Sequence, residues 1–113
     1  MKLNLQNTES NLIDTLPNQS QFLMFVYWIK SGKKNYIGAT KNIKKRIDQH
    51  NGKIKGGSSS TKGSVWKLHK TVTGFETWRD CLSFEIRVKH KLKRNQWKDV
   101  ALIEFVESSL VII

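Results

Sequence analysis

The stretch QFLMFVYWIKSGKKNYIGATKNIKKRIDQHN, residues 21 to 51, decides the architecture. Residues 21 to 30 are aromatic and aliphatic strand formers in a run too short for a free-standing helix, which predicts a central β-strand. SGKKN is turn material, and YIGA predicts a second, shorter strand joined to the first as a hairpin through a loop of four or five residues. Thr40 or Asn42 can cap the helix that follows, where Ile43 and Ile47 lie four apart on one face. Because the first two strands pair as a hairpin, few strand orders remain open.

Working outward, GKIKGGSSSTKG reads as a loop, and SVWKLHKTV alternates Val65, Lys67 and His69 against Trp66 and Leu68, as a third strand would. From about Glu76 to residue 92 the text predicts an amphipathic helix whose buried stripe holds Trp78, Cys81, Leu82 and Val88. DVALIEFVESSLVII, at the C-terminal end, predicts a helix that closes the core. Residues 1 to 20, polar and holding the only proline (Pro17), read as an N-terminal arm or short helix before a single domain over 21 to 113. The expected fold is α+β: a small, three-stranded, mainly antiparallel sheet flanked by helices, in the order β-β-α-β-α-α.

A chain of 113 residues holds one small domain. Its lone cysteine, Cys81, excludes an internal disulfide and a cysteine-based zinc site, and His50, His69 and His90 stand too far apart for a short metal motif. No apolar run approaches the roughly 20 residues needed to span a bilayer, and residues 1 to 21 lack the apolar centre of a secretory signal. The expected setting is intracellular, cytoplasm or nucleus, with no membrane. Charge says more. Residues 30 to 70 carry twelve Lys and Arg against Asp48 alone, a net of +11 that accounts for the whole +11 of the chain. So concentrated a field suits a phosphate backbone, whose counterions are released on binding.

Several residues could add chemistry to that grip. Arg46 and His50, four apart, share a face of the first helix beside Ile43 and Ile47, which places them on the border of core and surface. Tyr27 and Tyr36 lie on the two hairpin strands, where packing is the ordinary role of a tyrosine. Glu85 sits among the apolar positions of the long helix. A carboxylate aimed there is paired with a cation of the first helix or serves a site.

Taken together, the order of these parts resembles the GIY-YIG nuclease superfamily. The first half-motif stands as Phe25-Val26-Tyr27, the second as Tyr36-Ile37-Gly38, then Arg46 eight residues after the glycine and Glu85 on the next long helix. His50-Asn51-Gly52, Gly56-Gly57, Thr61, Trp66, Gly74-Phe75 and Phe84-Glu85 are similar to the catalytic subunit of eukaryotic structure-specific endonucleases, which cut flaps and junctions. The sequence departs from that pattern at Phe25, in place of glycine, and at Val65, in place of the usual proline. The cysteine-rich zinc domain that follows in that subfamily has no counterpart before Ile113. This makes a stand-alone nuclease the expected analogue and leaves dependence on a protein scaffold open.

The resemblance implies a DNA endonuclease for branched or flapped substrates in repair or recombination. Glu85 would ligate a single Mg²⁺, with Mn²⁺ as a substitute, because Mg²⁺ keeps several waters and needs few carboxylates. Arg46 would pair with the scissile phosphate. Tyr27 is the candidate base, which requires nearby cations to lower its pKa from about 10, while Tyr36 would orient it or the water. His50 would relay protons or bind phosphate, and the roles of Tyr27, Tyr36 and His50 stay interchangeable here. Lys33, Lys34, Lys41, Lys44, Lys45, Lys53, Lys55 and Lys62, with Gly56 and Gly57, would line the DNA by shape more than by sequence. Asn95 reads as a helix-end residue. Sequence-specific homing or restriction-type cleavage, and a catalytically silent DNA-binding module, are the competing readings. A homodimer is open as well.

Overall fold

β1 (Phe25–Ser31) and β2 (Lys34–Thr40) form the expected antiparallel hairpin in a computed structural model that describes residues 23–113. The arm expected over residues 1–20 lies outside the described residues. The turn is tighter than four or five residues: Ser31 pairs with Lys34, and only Gly32 and Lys33 lie between. Gly32, at φ 59, takes the first central position, where a II′ hairpin turn needs glycine.

β1 is central, pairing antiparallel with β2 on one side and with β3 (Lys67–Thr73) on the other. α1 (Ile43–His50) connects β2 to the loop before β3, and α2 (Trp78–Arg94) and α3 (Asp99–Phe105) follow. The α+β order read from the sequence is therefore present, with one addition. The expected closing helix over 99–113 stops at Phe105, and Val111–Ile112 form β4 on the free edge of β3, giving the strand order β2-β1-β3-β4. Ser108 and Ser109 favour a turn over a helix interior, and the β-branched Val111, Ile112 and Ile113 suit a pleated edge. Thr71 N donates to Ile113 O at 2.9 Å and Ile113 N to Thr71 O at 2.7 Å.

Alternation along β1 divides the interior. Val26 and Trp28 join Ile37 and Val72 under α2 and α3, whose contributions are Cys81, Phe84, Val88, Leu92, Ala101 and Leu102. Tyr27 and Ile29 point to the opposite face, where with Trp66 they meet Tyr36, Ile43 and Ile47. The α2 stripe thus differs from the expected one: Phe84 and Leu92 belong to it, and Leu82, about 100° around the helix from Cys81, is exposed. Thr77 caps α2 by accepting from Asp80 N. β3 also departs from strict alternation. Trp28 pairs with Lys70 and Ile29 with Leu68, so His69 bulges from the ladder and sets its ring edge-on to Trp28 at 4.6 Å. No helix among the described residues is long and apolar enough to cross a membrane.

Candidate active site

Tyr27 is 1% exposed and stands opposite Gly38 in the β1–β2 ladder. A Cβ on Gly38 would lie 2.5 Å from the phenol Cζ and 2.8 Å from Cε1. Glycine in the second half-motif is therefore the space that the tyrosine of the first half-motif occupies. Tyr36 closes the same corner, its ring centroid 6.3 Å from that of Tyr27 and 4.8 Å from that of His50.

α1 begins under two caps, not one: Asn42 Oδ1 accepts from Lys45 N at 3.0 Å, and Thr40 Oγ1 accepts from Asn42 N at 3.1 Å. Thus aimed, the helix delivers Arg46 and His50 one turn apart. Arg46 Nε donates to the Tyr27 hydroxyl at 3.3 Å, while its Nη1 donates to Gln49 Oε1 at 2.8 Å and to Gly56 O at 2.7 Å. His50 Nε2 lies 2.7 Å from the Tyr27 hydroxyl, and Nδ1 lies 2.8 Å from Thr61 Oγ1. Thr61 Oγ1 in turn donates to Ser58 O at 2.9 Å.

His50 is 2% exposed, not on the border of core and surface as its helix position suggested. The cause is the segment after it, which folds back over the ring. The Asn51 side chain imitates a strand partner for Trp66, donating to its carbonyl at 3.0 Å and accepting from its amide at 2.6 Å. Trp66 Nε1 then donates to Thr61 O at 2.9 Å. Gly56 and Gly57 allow the loop to touch the end of α1, since a Cβ on Gly57 would run into the Gln49 carbonyl oxygen. That packing role is separate from the approach to phosphates expected of them.

Burial governs the electrostatics. Tyr27 is pushed up to about 12, first by desolvation and then by the charges of Tyr36 and Glu85, against the Arg46 bond and charge. Arg46 lowers Tyr27 as expected of a neighbouring cation, but one guanidinium does not outweigh the loss of water. His50 is lowered to about 4 by burial and then by Arg46, so its ring is neutral at pH 7.

Glu85 is half-buried on the flank of the α2 stripe, close enough for its charge to raise both Tyr27 and Cys81. Its partner is not a cation of the first helix but Lys89 of its own, with Nζ 3.1 Å from Oε2. An i,i+4 pair that solvent reaches contributes only about 0.3–0.5 kcal/mol, so Glu85 is readily diverted to another cation. Among the described residues there is no group of three or more His, Cys, Asp and Glu that could enclose a metal. A single carboxylate with no soft donor fits a hard divalent ion that keeps most of its own waters. Asn95 is a helix-end residue, capping α2 through Nδ2 to Lys91 O at 2.8 Å.

The cationic residues divide into held and open ones. Lys34 donates to Ser64 Oγ at 3.0 Å, Lys41 lies 5.1 Å over the Trp78 ring, and Lys44 pairs with Asp48 at 3.1 Å. Lys33 and Lys45 are exposed, while Lys53, Lys55 and Lys62 rim a hollow of about 840 Å³ between the end of α1 and the loop, with His50 at its inner wall. The sequence reading passed over Gln49 as a partner of Arg46 and noted Thr61 only as part of a family pattern. In SSSTKG nothing distinguishes the one hydroxyl that is fully buried.

The family model described as "GIY-YIG catalytic domain" matches residues 23–99. A structure-specific endonuclease subunit slx1 of Pyrenophora tritici-repentis is 35% identical over 81 residues, 69% of this chain and 22% of that protein. Its namesake in Schizosaccharomyces japonicus is 49% identical over 51 residues, 44% of this chain and 19% of that protein. An uncharacterized protein, L300, of Acanthamoeba polyphaga mimivirus is 32% identical over 78 residues, 67% of this chain and 47% of that protein. The chain thus spans about a fifth of the length of the slx1 relatives it matches.

Proposed function

The chain belongs to the GIY-YIG catalytic domain family, and from that premise we propose that it is a divalent-metal-dependent DNA endonuclease acting inside the cell on branched or flapped DNA. The observation that carries the reading is the cluster in which one phenol, Tyr27, meets His50 at 2.7 Å and Arg46 at 3.3 Å within reach of the Glu85 charge. The net +11 of residues 30 to 70, the segment that supplies Tyr36, Arg46 and His50, suits a phosphate backbone.

In this reading Tyr27 is the group that handles the proton of the attacking water, and Tyr36 walls the position from which it does so. Arg46 steadies the phosphoryl oxygens. Three hydrogen bonds already fix its guanidinium, so little ordering is left to be done when DNA arrives. Glu85 would hold a divalent ion, Mg²⁺ with Mn²⁺ as substitute, and such an ion would supply positive charge to the phosphoryl group. Lys33, Lys45, Lys53, Lys55 and Lys62 hold the backbone, which favours recognition of shape over sequence. The relatives named above as "subunit" extend the proposal to a protein partner.

The test is cleavage of labelled 5′-flap, Holliday-junction and linear duplex DNA with Mg²⁺, Mn²⁺ or EDTA. Branched substrates are expected to be cut with metal and spared in EDTA, and Glu85→Gln is expected to abolish cutting. No cleavage of any substrate, or unchanged cleavage by Glu85→Gln, refutes the reading. Cutting of one linear sequence alone supports a homing or restriction-type enzyme, and salt-sensitive binding without cutting supports a silent module.

A further inference from the structure

Thr61 has one hydroxyl proton and two neighbours that compete for it. Ser58 O, at 2.9 Å, can only accept. His50 Nδ1, at 2.8 Å, can accept or donate according to its tautomer. Were Thr61 to give its proton to Nδ1, its oxygen would face the Ser58 carbonyl with lone pairs opposed, at a site where Thr61 is 0% and His50 2% exposed. The hydroxyl therefore points to Ser58, and Nδ1 carries the imidazole proton.

The remaining protons follow. A neutral imidazole protonated at Nδ1 presents a bare Nε2, which accepts the Tyr27 hydroxyl at 2.7 Å. The Tyr27 oxygen is then left to accept, and Arg46 Nε, which has only a proton to give, donates to it at 3.3 Å. Every group facing the ring is consistent with this one direction: Thr61 from the loop, Tyr27 and Tyr36 from the hairpin, Arg46 from α1.

We propose that Thr61 is a positioning residue that sets the tautomer of His50, so that Nε2 stands ready to take the proton of Tyr27. The inference rests on the reading above in which Tyr27 handles the proton of the attacking water. As that water forms its bond to phosphorus and the bond to the leaving oxygen breaks, the water's proton passes to the Tyr27 oxygen and Tyr27's own proton passes to Nε2. No free phenolate is required. Both groups start neutral at pH 7, the phenol held near 12 and the imidazole near 4. With the other tautomer Nε2–H would confront the phenol and the path would be closed, however well the heavy atoms were placed.

The test reads the tautomer directly, by long-range ¹H–¹⁵N correlation spectra of His50 at pH 7, alongside single-turnover and steady-state cleavage of flap DNA with Mg²⁺. The unaltered protein and Thr61→Ser are expected to show the Nδ1–H form. Thr61→Val is expected to shift His50 toward Nε2–H and to lower kcat by about 10²-fold, the scale of one acid–base contribution, with KM changed less than about twofold. An Nε2–H form in the unaltered protein overturns the proposal, as does a Thr61→Val variant that keeps either the Nδ1–H form or the parent kcat. Should Thr61→Val fail to fold, the spectra of the unaltered protein and of Thr61→Ser still decide it. The spectra need no cleavage, so a protein that shows the Nδ1–H form and cuts nothing would refute the nuclease reading and leave the tautomer assignment standing.

Discussion

Replacing Gly38 with alanine is a one-methyl change whose consequence can be worked from the structure. The new Cβ would lie 2.5 Å from Tyr27 Cζ, whereas carbons in contact sit about 3.5–4.0 Å apart, so ring or backbone must move by roughly 1 Å. Tyr27 has little freedom to yield, being 1% exposed and bonded to His50 and Arg46. Overpacking of this kind costs about 1–3 kcal/mol, and stranding a buried hydrogen-bond partner adds about 1–3 kcal/mol. A destabilisation of roughly 2–6 kcal/mol follows, a large share of the ~5–15 kcal/mol that holds a domain together. Glycine-to-alanine inside an unobstructed strand is instead expected to stabilise by about 0.5–1 kcal/mol. Urea unfolding therefore separates the cases by sign. The same displacement should cost about 10²-fold in single-turnover cleavage, the usual penalty for a misplacement of about 1 Å. Tyr27→Ala provides the control: in that background the phenol atoms nearest the methyl are gone, and the cost of Gly38→Ala should fall sharply. An equal cost in both backgrounds, or a Gly38→Ala protein as stable and active as the parent, would refute the close-approach account.

Other expectations follow from the same site. His50, lowered from 6.5 to about 4, binds its proton less readily folded than unfolded. Its contribution of about 3 kcal/mol is present above pH 6.5 and lost as pH falls through 4, and denaturant titrations across that window should show His50→Asn without the loss. Asn51→Ala removes both bonds to the Trp66 backbone, about 1 kcal/mol each, and should speed amide exchange within residues 52–65 ahead of the sheet. Glu85→Gln should change unfolding free energy by less than about 1 kcal/mol, because only the pair with Lys89 is lost, while abolishing Mg²⁺-dependent cleavage. Lys53, Lys55 and Lys62 changed together to alanine should flatten the slope of log affinity against log salt by about 3, measured by fluorescence anisotropy.

Much of the fold was legible because β1, β2 and α1 are local: the aromatic run, the glycine-bearing turn and the isoleucine spacing each report on neighbours in the chain. The two-residue hairpin loop, the ending of α3 at Phe105 and the strand Val111–Ile112 were not, since each depends on pairing that periodicity does not register. At the site, Tyr27, Tyr36, Arg46 and His50 were named from the pattern and the structure brings them together. The raised pKa of Tyr27 was not foreseen, because charge can be counted along a sequence and desolvation cannot. Thr61 and Gln49 were illegible as partners for a related reason: what sets them apart from neighbouring polar residues is only where the loop folds.

The division of β1 into two faces has a genetic consequence. The twelve-residue cluster that stabilises the fold and the Tyr27 face share a strand but not their side chains, and the open lysines belong to neither. On the proposed reading, a change at Glu85 would silence cutting and spare both folding and the hold on DNA. Such an allele would not be a simple loss. Its product would sit on the same branched sites as the active protein and shield them, so one copy beside an intact gene would impair processing more than a deletion does.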